Sequence, residues 1–521
     1  MEKNIKILNK KAMEGIIIFL STLFILCYLY VLSKRLFYPF ELEWLEGYFV
    51  AGMIQIANNQ SIYSPPNTEF IPLLYPPLYY FLIGGLAKIL GVNFWTARLV
   101  SVLSSFLSGF IIYQFVRRET KSSFCAFFTF GLFFASYQIT GSWFDLARVD
   151  SLFMSLSLSG IYLLRYYTKS YKGIFFAAML LSLAFFTKQA AIFFIIGCSV
   201  YLWFTQKEKC FIFTIMSSLF IVGGILMLNY LTDGWYWFHT FKVPLQHYSY
   251  RTQEYHLLLA EMYKQYTPLA QRDYGSIKKL IDFFKKDLLG NIPLPLFFIF
   301  GWLLYEMKSF GRQCTSFFWA LILIAAFIAS ISMRCKFGGY VNTLIPSISV
   351  SLILFGIAAG HMFKRENQSF LKFLLYLSIL LQFIMMSYNP IKQIPTANDY
   401  QAGRSLIKVV SSFGGDVYMP FHSYYSIMAG KKMYAHKMPI EDIYIGFPHL
   451  LPQDLFKKIE QKGFSAIIYD WEIDPNTKNP LEQSIIRHYT KSKQIPFEDE
   501  NTFLPLSGLK VKPRLIYLSK K

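Results

Sequence analysis

Residues 13–33 read MEGIIIFLSTLFILCYLYVLS, and ELEWLEGYF follows at residues 41–49. The first stretch has the length that an α-helix needs to cross a bilayer. The second places Glu41, Glu43 and Glu46 just beyond that helix, in a chain with only 31 acidic residues against 51 basic ones. Together the two stretches predict a membrane span that opens into a polar loop rich in carboxylates.

The composition extends this prediction to most of the chain. Of the 521 residues, 54% are hydrophobic and 16% are charged, whereas soluble proteins carry about 25% charged residues. Apolar runs of the spanning length recur along the sequence. The predicted fold class is therefore mainly α, a polytopic membrane protein.

The net charge of +20 lies largely in short clusters between the apolar runs, such as Arg117–Arg118 and Lys364–Arg365. The positive-inside rule places such clusters on the cytoplasmic side of a membrane. We therefore expect membrane lipids, and no nucleic acid, as partners of this charge. The N-terminus is predicted to be cytoplasmic, and the protein to lie in the cytoplasmic (inner) membrane.

The basic clusters define a path of about eleven spans through a membrane domain of residues 1–390. Two long segments, 34–94 and 231–291, are predicted outer loops. Within the first, residues 77–91 are expected to form a helix in the outer interface, because about 15 residues are marginal for crossing. The predicted spans are 13–33, 95–116, 123–141, 151–164, 173–187, 190–205, 211–230, 292–306, 315–333, 340–360 and 372–388.

The sequence changes character at residue 391. The segments 402–414 and 453–463 read as helices, and 416–421 and 464–470 read as strands. Alternating helices and strands predict a small α/β domain, which the charge pattern places outside the cytoplasm. No glycine-rich phosphate loop opens its helices, so no nucleotide site is expected there.

Polar side chains are retained at the predicted outer ends of the spans. A charge near the hydrocarbon costs roughly 2.5–3.5 kcal/mol on insertion scales, so such residues need a reason. They are expected to converge on one leaflet. The set is Glu41, Glu43, Glu46, Arg98, Asp145, Arg148, Asp150, Lys188, Gln189, Arg334, Lys336 and Asn342.

These residue types suit a transfer reaction at the headgroup level. A carboxylate, Glu43 or Glu46, could take the proton of an attacking hydroxyl. Cations bind a leaving phosphate through charge and, for arginine, through a fork of donors. The candidates for that phosphate are Lys188, Arg334, Lys336 and Arg148, and those for positioning the substrate are Asp150, Tyr75, Tyr79, Gln189 and Asn342.

Each candidate also has a simpler explanation. Glu46 could be a solvated residue in the first turn of a helix, and Lys188 a side chain that reaches from a helix end to the interface. Arg148 and Asp150 could pair with each other. The stretch YPPLYY (75–80) could be an aromatic interfacial belt, while His422 and His436 are interpreted as structural.

Several motifs, in this order, resemble the GT-C glycosyltransferases, in the branch that contains bacterial aminoarabinose transferases and protein O-mannosyltransferases. The resemblance covers roughly residues 13–390. It rests on EWLEGYFVAGMIQIANNQSIYSPP (43–66), YPPLYYFLIGGLAKILG (75–91), ARLVSVLSSF (97–106), FDLARVDSLF (144–153), AFFTKQAAIFF (184–194) and RCKFGGYVNTLIP (334–346).

The resemblance implies an enzyme that takes a sugar from a polyprenyl-phosphate donor on the outer face of the membrane, with inversion. It also implies a catalytic acidic residue in the first outer loop, which here is Glu46 or Glu43. Leu45 stands where relatives usually have an aspartate, and Tyr75 where they often have a lysine. The acceptor, whether lipid, polysaccharide or protein, stays open.

Two other functions remain alternatives: a transporter or flippase of lipid-linked sugars, and a non-catalytic envelope-assembly protein. Against transport, no internal repeat is evident, and the unusual charges lie at one face rather than at mid-membrane. No cofactor is expected. No metal site is predicted, since the first loop lacks a DxD triplet, although a divalent metal stays open.

Overall fold

The computed structural model describes residues 2–246, 277–308, 315–336, 338–365 and 369–520. Residues up to about 390 are almost entirely helical. Their principal helices are Glu2–Arg35, Glu46–Ala57, Leu78–Leu90, Phe94–Thr120, Ser123–Ala135, Asp150–Tyr167, Tyr171–Phe185, Ile192–Thr205, Lys207–Leu231, Pro293–Lys308, Thr315–Arg334, Ile345–Phe363 and Ser369–Met385. Shorter helical segments are Gln189–Ala191, Trp235–Trp237, Phe238–Lys242, Val243–Gln246, Ile277–Asp282, Phe283–Leu288, Val341–Leu344 and Pro390–Gln393.

Each of the predicted spans coincides with one of these helices. Among the described residues, 5 helices are long and apolar enough to cross a membrane, or up to 7 if each of two bent pairs counts as one span. Others, such as Ser123–Ala135 and Tyr171–Phe185, are apolar but shorter. A multi-span membrane protein is confirmed, while the count of eleven stays a prediction.

The first outer loop contains the two helices that the sequence predicts. One begins at Glu46 and runs to Ala57; we call it the first-loop helix. The other, Leu78–Leu90, follows Pro76 and Pro77 and is one of the short apolar helices. Residues 247–276 of the second predicted outer loop lie outside the described residues.

Close approaches between small residues hold the helices together. A Cβ added at Gly131 would lie 2.5 Å from Ser21 Cβ, and one at Gly356 would lie 2.2 Å from the Thr129 hydroxyl oxygen. Small residues let neighbouring helix backbones come this close, which is how membrane helices gain packing contacts. The helix containing Gly356 lies at the centre of the bundle, and its apolar window is entirely buried.

Residues after 390 form the small α/β unit that the sequence predicts. Four strands, β1 (Val417–Tyr418), β2 (Ala466–Tyr469), β3 (Tyr489–Gln494) and β4 (Leu515–Ser519), make a sheet of order β1-β2-β4-β3. β1 and β2 are parallel, and the other two pairs are antiparallel. The helices around this sheet are Ala397–Ser411, Ser423–Met428, Lys437–Gly446, Pro448–Leu450, Gln453–Glu460 and Pro480–His488.

Two predicted boundaries in this unit were wrong for local reasons. The helix expected over 402–414 begins at Ala397, because Thr396 and Asp399 form a capping box. The strand expected over 416–421 ends at Tyr418, two residues before a proline that cannot donate to a sheet ladder.

Candidate active site

The Glu46 carboxylate is fully buried and every one of its acceptor positions is occupied. Arg98 forms a two-pronged ion pair with it, Nε to Oε1 at 2.9 Å and Nη2 to Oε2 at 2.7 Å. The backbone N–H groups of Ala147 and Leu42 donate to its two oxygens, each at 2.7 Å. A carboxylate has about four lone-pair sites, so Glu46 has none left for a substrate. The solvated alternative for this residue was therefore wrong.

Burial alone would raise the pKa of Glu46, but the Arg98 guanidinium and these hydrogen bonds overcome that effect and lower its pKa. The carboxylate is thus held as an anion at the start of the first-loop helix, where the helix dipole also favours negative charge. Arg98 extends the clamp by donating to the carbonyl oxygens of Arg35, Tyr38 and Phe40. This pair fixes the path of the chain between the first span and the first-loop helix.

Glu43 is equally buried but much less occupied. Its Oε2 accepts from Arg148 Nη1 at 2.9 Å and from the Leu45 N–H at 3.2 Å. Its Oε1 has no hydrogen-bond partner among the described residues. Burial raises the pKa of Glu43 to about 7, even though the Arg148 charge opposes that shift. A buried carboxylate with a free oxygen and a pKa near neutrality is suited to accept a proton.

Arg148 connects Glu43 to the rest of the site. Its guanidinium donates to Tyr75 Oη at 3.3 Å and lies over the rings of Phe49, Tyr75 and Trp143. The expected alternative, a direct pair between Arg148 and Asp150, is not the arrangement found. Arg148 pairs with Glu43, and Asp150 pairs with Lys188.

Asp150 is the centre of a second buried group. Lys188 Nζ lies 2.6 Å from its Oδ1, and the amide of Asn342 donates to the same oxygen at 3.1 Å. Trp143 Nε1 donates to Oδ2 at 3.0 Å. The charge of Lys188 is therefore paired with Asp150 inside the protein. The simpler explanation, a side chain that extends to the membrane interface, does not describe it.

Two cations at the end of the helix Thr315–Arg334, Arg334 itself and Lys336, differ in their partners. Arg334 forms an ion pair with Asp287, Nε to Oδ2 at 2.8 Å, and also donates to the Gly339 carbonyl oxygen. Lys336 is half-buried and has no ion pair with a carboxylate among the described residues. Burial and the nearby charge of Lys188 lower its pKa to about 8. Lys336 is thus the predicted phosphate ligand whose charge is least compensated.

The three remaining predicted residues, Tyr75, Tyr79 and Gln189, differ in their burial and in the hydrogen bonds that they already make. Tyr75 is half-buried beside Arg148. Tyr79 is fully buried, and its hydroxyl donates to the Ala97 carbonyl at 2.9 Å, which ties Leu78–Leu90 to the next helix. Gln189 donates to the carbonyl oxygens of Leu74 and Thr240. Tyr75 therefore lies beside Arg148 within the site, whereas Tyr79 and Gln189 stabilise the backbone around it through hydrogen bonds to carbonyl oxygens.

The C-terminal unit contributes a cover that the sequence did not reveal. The Ser507 N–H donates to the Leu42 carbonyl at 2.9 Å, and Gly508 packs against Glu43. A Cβ at position 508 would lie 2.9 Å from both Cγ and Oε1 of Glu43, and Gly508 has φ of +70°. Only a glycine fits this position without strain, because a larger residue would press its Cβ on the free oxygen of Glu43.

A buried ionic chain also joins the two parts of the molecule. His422 lies between two carboxylates: Nδ1 contacts Glu41 Oε2, and Nε2 lies 2.8 Å from Asp470 Oδ2. Burial alone would lower the pKa of His422, but Asp470 and Glu41 raise it to about 10. His422 thus links the first loop to the C-terminal unit, and its partners lie 381 and 48 residues away.

One more missed pair explains an anomaly of the charge pattern. Arg35 lies at the predicted outer end of the first span, against the positive-inside rule. Its Nε is 2.7 Å from Asp145 Oδ2, and both side chains are buried. The Tyr137 hydroxyl donates to the other oxygen of Asp145 at 2.9 Å.

In the described part of the chain, no group of three or more His, Cys, Asp or Glu side chains is arranged to hold a metal ion.

Comparison with known proteins gives two kinds of match. Residues 75–237 match the family model described as dolichyl-phosphate-mannose-protein mannosyltransferase. A comparison with curated protein sequences gives no match.

The structural matches cover nearly the whole chain. ArnT from Cupriavidus metallidurans in the apo state has a TM-score of 0.58 at 11% identity, over 96% of this chain and 97% of that chain. The same protein bound to undecaprenyl phosphate has a TM-score of 0.56 at 11% identity, over 96% and 98%. The oligosaccharyltransferase of Archaeoglobus fulgidus in the apo form has a TM-score of 0.51 at 9% identity, over 94% of this chain and 74% of that chain.

At such low identity the structural matches establish the fold, and the family model adds the chemistry of its members. The enzyme hypothesis, and neither the transporter nor the assembly protein, is the one that these findings support. The resemblance predicted from the sequence is confirmed: the chain has the fold of the GT-C glycosyltransferases, and its match to a mannosyltransferase family over residues 75–237 supports glycosyltransferase activity.

Proposed function

We propose that this enzyme transfers a sugar from a polyprenyl-phosphate donor to an acceptor hydroxyl on the outer face of the cytoplasmic membrane, with inversion, and that Glu43 is the base. The observation that carries the proposal is the contrast between the two first-loop carboxylates. Glu43 has a free oxygen and a pKa raised to about 7. Glu46 has both oxygens filled by Arg98 and backbone donors.

In the proposed step, Glu43 takes the proton of the acceptor hydroxyl as its oxygen attacks the anomeric carbon. The bond between that carbon and the phosphate oxygen breaks, and the polyprenyl phosphate leaves with the electron pair. Attack on the face opposite the leaving group inverts the anomeric centre. General-base help of this kind is worth about 10²–10⁴-fold in rate.

The leaving phosphate needs positive charge that is not already neutralised. Of the four predicted cations, Arg148, Lys188 and Arg334 each have a carboxylate partner within 2.9 Å. Lys336 has none among the described residues, and it lies close enough to Lys188 and Asp150 for their charges to shift its pKa. We assign the primary phosphate contact to Lys336, with Lys188 as the second cation.

The other candidates then take supporting roles. Asp150 and Asn342 position Lys188 through the same carboxylate oxygen. Arg148 orients Glu43, and Tyr75 orients Arg148 in turn. Tyr79 and Gln189 act by fixing the backbone around the site.

The donor class is supported by the ligands of the structural matches. One ArnT structure is bound to undecaprenyl phosphate, and the Archaeoglobus fulgidus enzyme AglB is in complex with a dolichol-phosphate. Both ligands join a polyprenyl-type chain to a phosphate, as the proposed donor does. The outer-face location follows from the charge clusters and from the carboxylates beyond the first span.

The test is turnover by purified protein in lipid nanodiscs with a panel of polyprenyl-phosphate sugars. We expect release of polyprenyl phosphate with at least one donor, and loss of that release in Glu43→Gln. Lys336→Gln should weaken donor binding and Lys336→Arg should restore it. If Glu43→Gln, Glu46→Gln and the double variant all keep full activity, the mechanism is wrong.

A further inference from the structure

A polar groove lies between the first outer loop and the C-terminal unit, away from the carboxylates of the site. Its volume is about 640 Å³, within the roughly 300–1,000 Å³ of ligand pockets. One wall is formed by Gln55 and residues 60–61, 64 and 66–70, and the other by Leu451, Pro452, Gln453 and Asp454. No residue of this groove has a role in the step described above.

The walls of the groove are fixed. Asn67 Oδ1 accepts from the N–H groups of Glu69 and Phe70, which closes the loop into a tight turn. The Ala435 N–H donates to the Thr68 carbonyl at 2.9 Å and thereby ties the first wall to the C-terminal unit. The groove therefore exists before any ligand arrives, and a ligand need not order its walls.

The lining has the chemistry of carbohydrate recognition. It combines amide and hydroxyl groups with two carboxylates, Glu69 and Asp454. The side chains of Gln55, Gln60, Glu69 and Gln453 have no hydrogen bond to any other described residue. Amides both donate and accept, and carboxylates accept, so together they match the paired hydroxyls of a sugar.

The negative charge of the groove disfavours acceptors that carry phosphate or carboxylate groups. None of its lining residues is Lys, Arg or His, although the whole chain has a net charge of +20. Asp454 is opposed at 3.7 Å by Lys457, at the exposed rim, whereas Glu69 has no ion pair among the described residues. A phosphate or carboxylate would meet repulsion here, while a neutral or amine-bearing ligand would not.

The first-loop helix connects the groove to the site. Glu46 begins this helix and Gln55 lies nine residues later, which is about 14 Å at a rise of ~1.5 Å per residue. Tyr48 of the same helix exchanges hydrogen bonds with the backbone of Ile71, just after the groove wall. The first-loop helix therefore contributes residues to both the groove and the site, and a ligand that contacts both must be extended enough to span the distance between them.

We infer that this groove binds the distal part of an oligosaccharide acceptor that is neutral or amine-bearing, while its terminal hydroxyl reaches Glu43. The inference rests on the proposed function and names the acceptor class that the function leaves open. The lining contains no strand and few apolar side chains, so it offers neither the strand edge nor the apolar groove that two recurring modes of peptide recognition use. A sugar therefore fits it better than a peptide.

Direct binding tests the groove without relying on turnover. Full-length protein in nanodiscs is presented to an immobilised panel of neutral, amine-bearing and carboxylate-bearing hexasaccharides and polar hexapeptides. Gln60→Trp and Gln453→Trp fill the groove from exposed positions, so they should fold normally. Ser411→Trp, an exposed position outside the lining, is the matched control.

We expect wild-type protein to bind neutral or amine-bearing hexasaccharides. Both groove variants should weaken that binding at least about tenfold, whereas Ser411→Trp should not change it. Undecaprenyl phosphate binding should be equal in all four proteins. In transfer assays the groove variants should raise the acceptor KM with little change in kcat.

Three results would overturn the inference: no hexasaccharide binds, only carboxylate-bearing ones or hexapeptides bind, or binding is indifferent to Gln60→Trp and Gln453→Trp. Failure of the proposed function gives a different pattern. In that case glycan binding and its sensitivity to the groove variants persist, but no sugar is transferred and Glu43→Gln changes nothing.

Discussion

Two glutamates three residues apart, Glu43 and Glu46, are both fully buried and both face an arginine, yet their environments are opposite. Glu46 receives four hydrogen bonds and its pKa is lowered. Glu43 keeps one oxygen free and its pKa rises to about 7. Burial with full compensation keeps a carboxylate as an anion, whereas burial with partial compensation leaves a carboxylate that is suited to accept a proton.

The largest expected effect is on chemistry at Glu43. Glu43→Gln keeps the shape of the side chain and its contact with Arg148 but cannot accept a proton. We expect kcat to fall by about 10²–10⁴-fold. The unfolding temperature should fall less than in Glu46→Gln, because Glu43 has fewer hydrogen bonds and its pKa is already raised to about 7. Transfer assays and thermal unfolding in detergent measure the two effects. Full activity in this variant would remove Glu43 as the base.

Glu46→Gln should produce the opposite pattern. Breaking a buried ion pair leaves Arg98 uncompensated and costs about 3–5 kcal/mol of stability. We expect a lower unfolding temperature and a lower yield, with partial recovery in the double variant Glu46→Gln with Arg98→Met. A stable but inactive Glu46→Gln protein would reverse the two assignments.

The pH profile should reveal both titrating groups. Glu43 must be deprotonated, so kcat/KM for the donor should fall about tenfold per unit as pH drops below about 7. Lys336 must be charged to bind phosphate, so kcat/KM should also fall above about pH 8. Lys336→Arg, which keeps its charge, should remove the alkaline limb and leave the acid limb in place. An unchanged alkaline limb would contradict the role of Lys336.

The smallest effect concerns the cover over Glu43. Gly508→Ala should lower kcat by roughly tenfold, because its Cβ would press on Glu43 Oε1, and it should cost about 1–2 kcal/mol of backbone strain. Gly430→Ala is the matched control, since Gly430 has φ of +73° and open space around it. Equal kcat values in the two variants would show that the cover plays no part.

The sequence predicts the helices well because the signal for them is local. Apolar runs place a helix at every predicted span, and Pro76 and Pro77 correctly mark the start of the short helix Leu78–Leu90. In the C-terminal unit, β3 and β4 were both missed. The residues of β3, YTKSKQ, are mostly exposed and polar and form an edge strand, whereas β4, LIYLS, has an apolar run that is typical of a buried strand.

The partners within the site could not be predicted in the same way. Glu43 and Glu46 are similar in sequence context, but their arginine partners, Arg148 and Arg98, are 105 and 52 residues away, and Glu46 also accepts from the distant Ala147 N–H. The assignment of each arginine depends on how the helices pack. Lys34 and Arg35 violated the charge rule, and that violation was the one local sign of the buried pair with Asp145.

The contact between Glu41 and His422 sets an order of events during synthesis. Once Glu41 has been synthesised, the ribosome must add 381 more residues to complete its imidazole partner His422, and still more before Ser507 can reach Leu42. Until then the acidic loop stands beside the membrane without its cover. The contacts that the C-terminal unit makes with Glu41, Leu42 and Glu43 therefore form only late in translation.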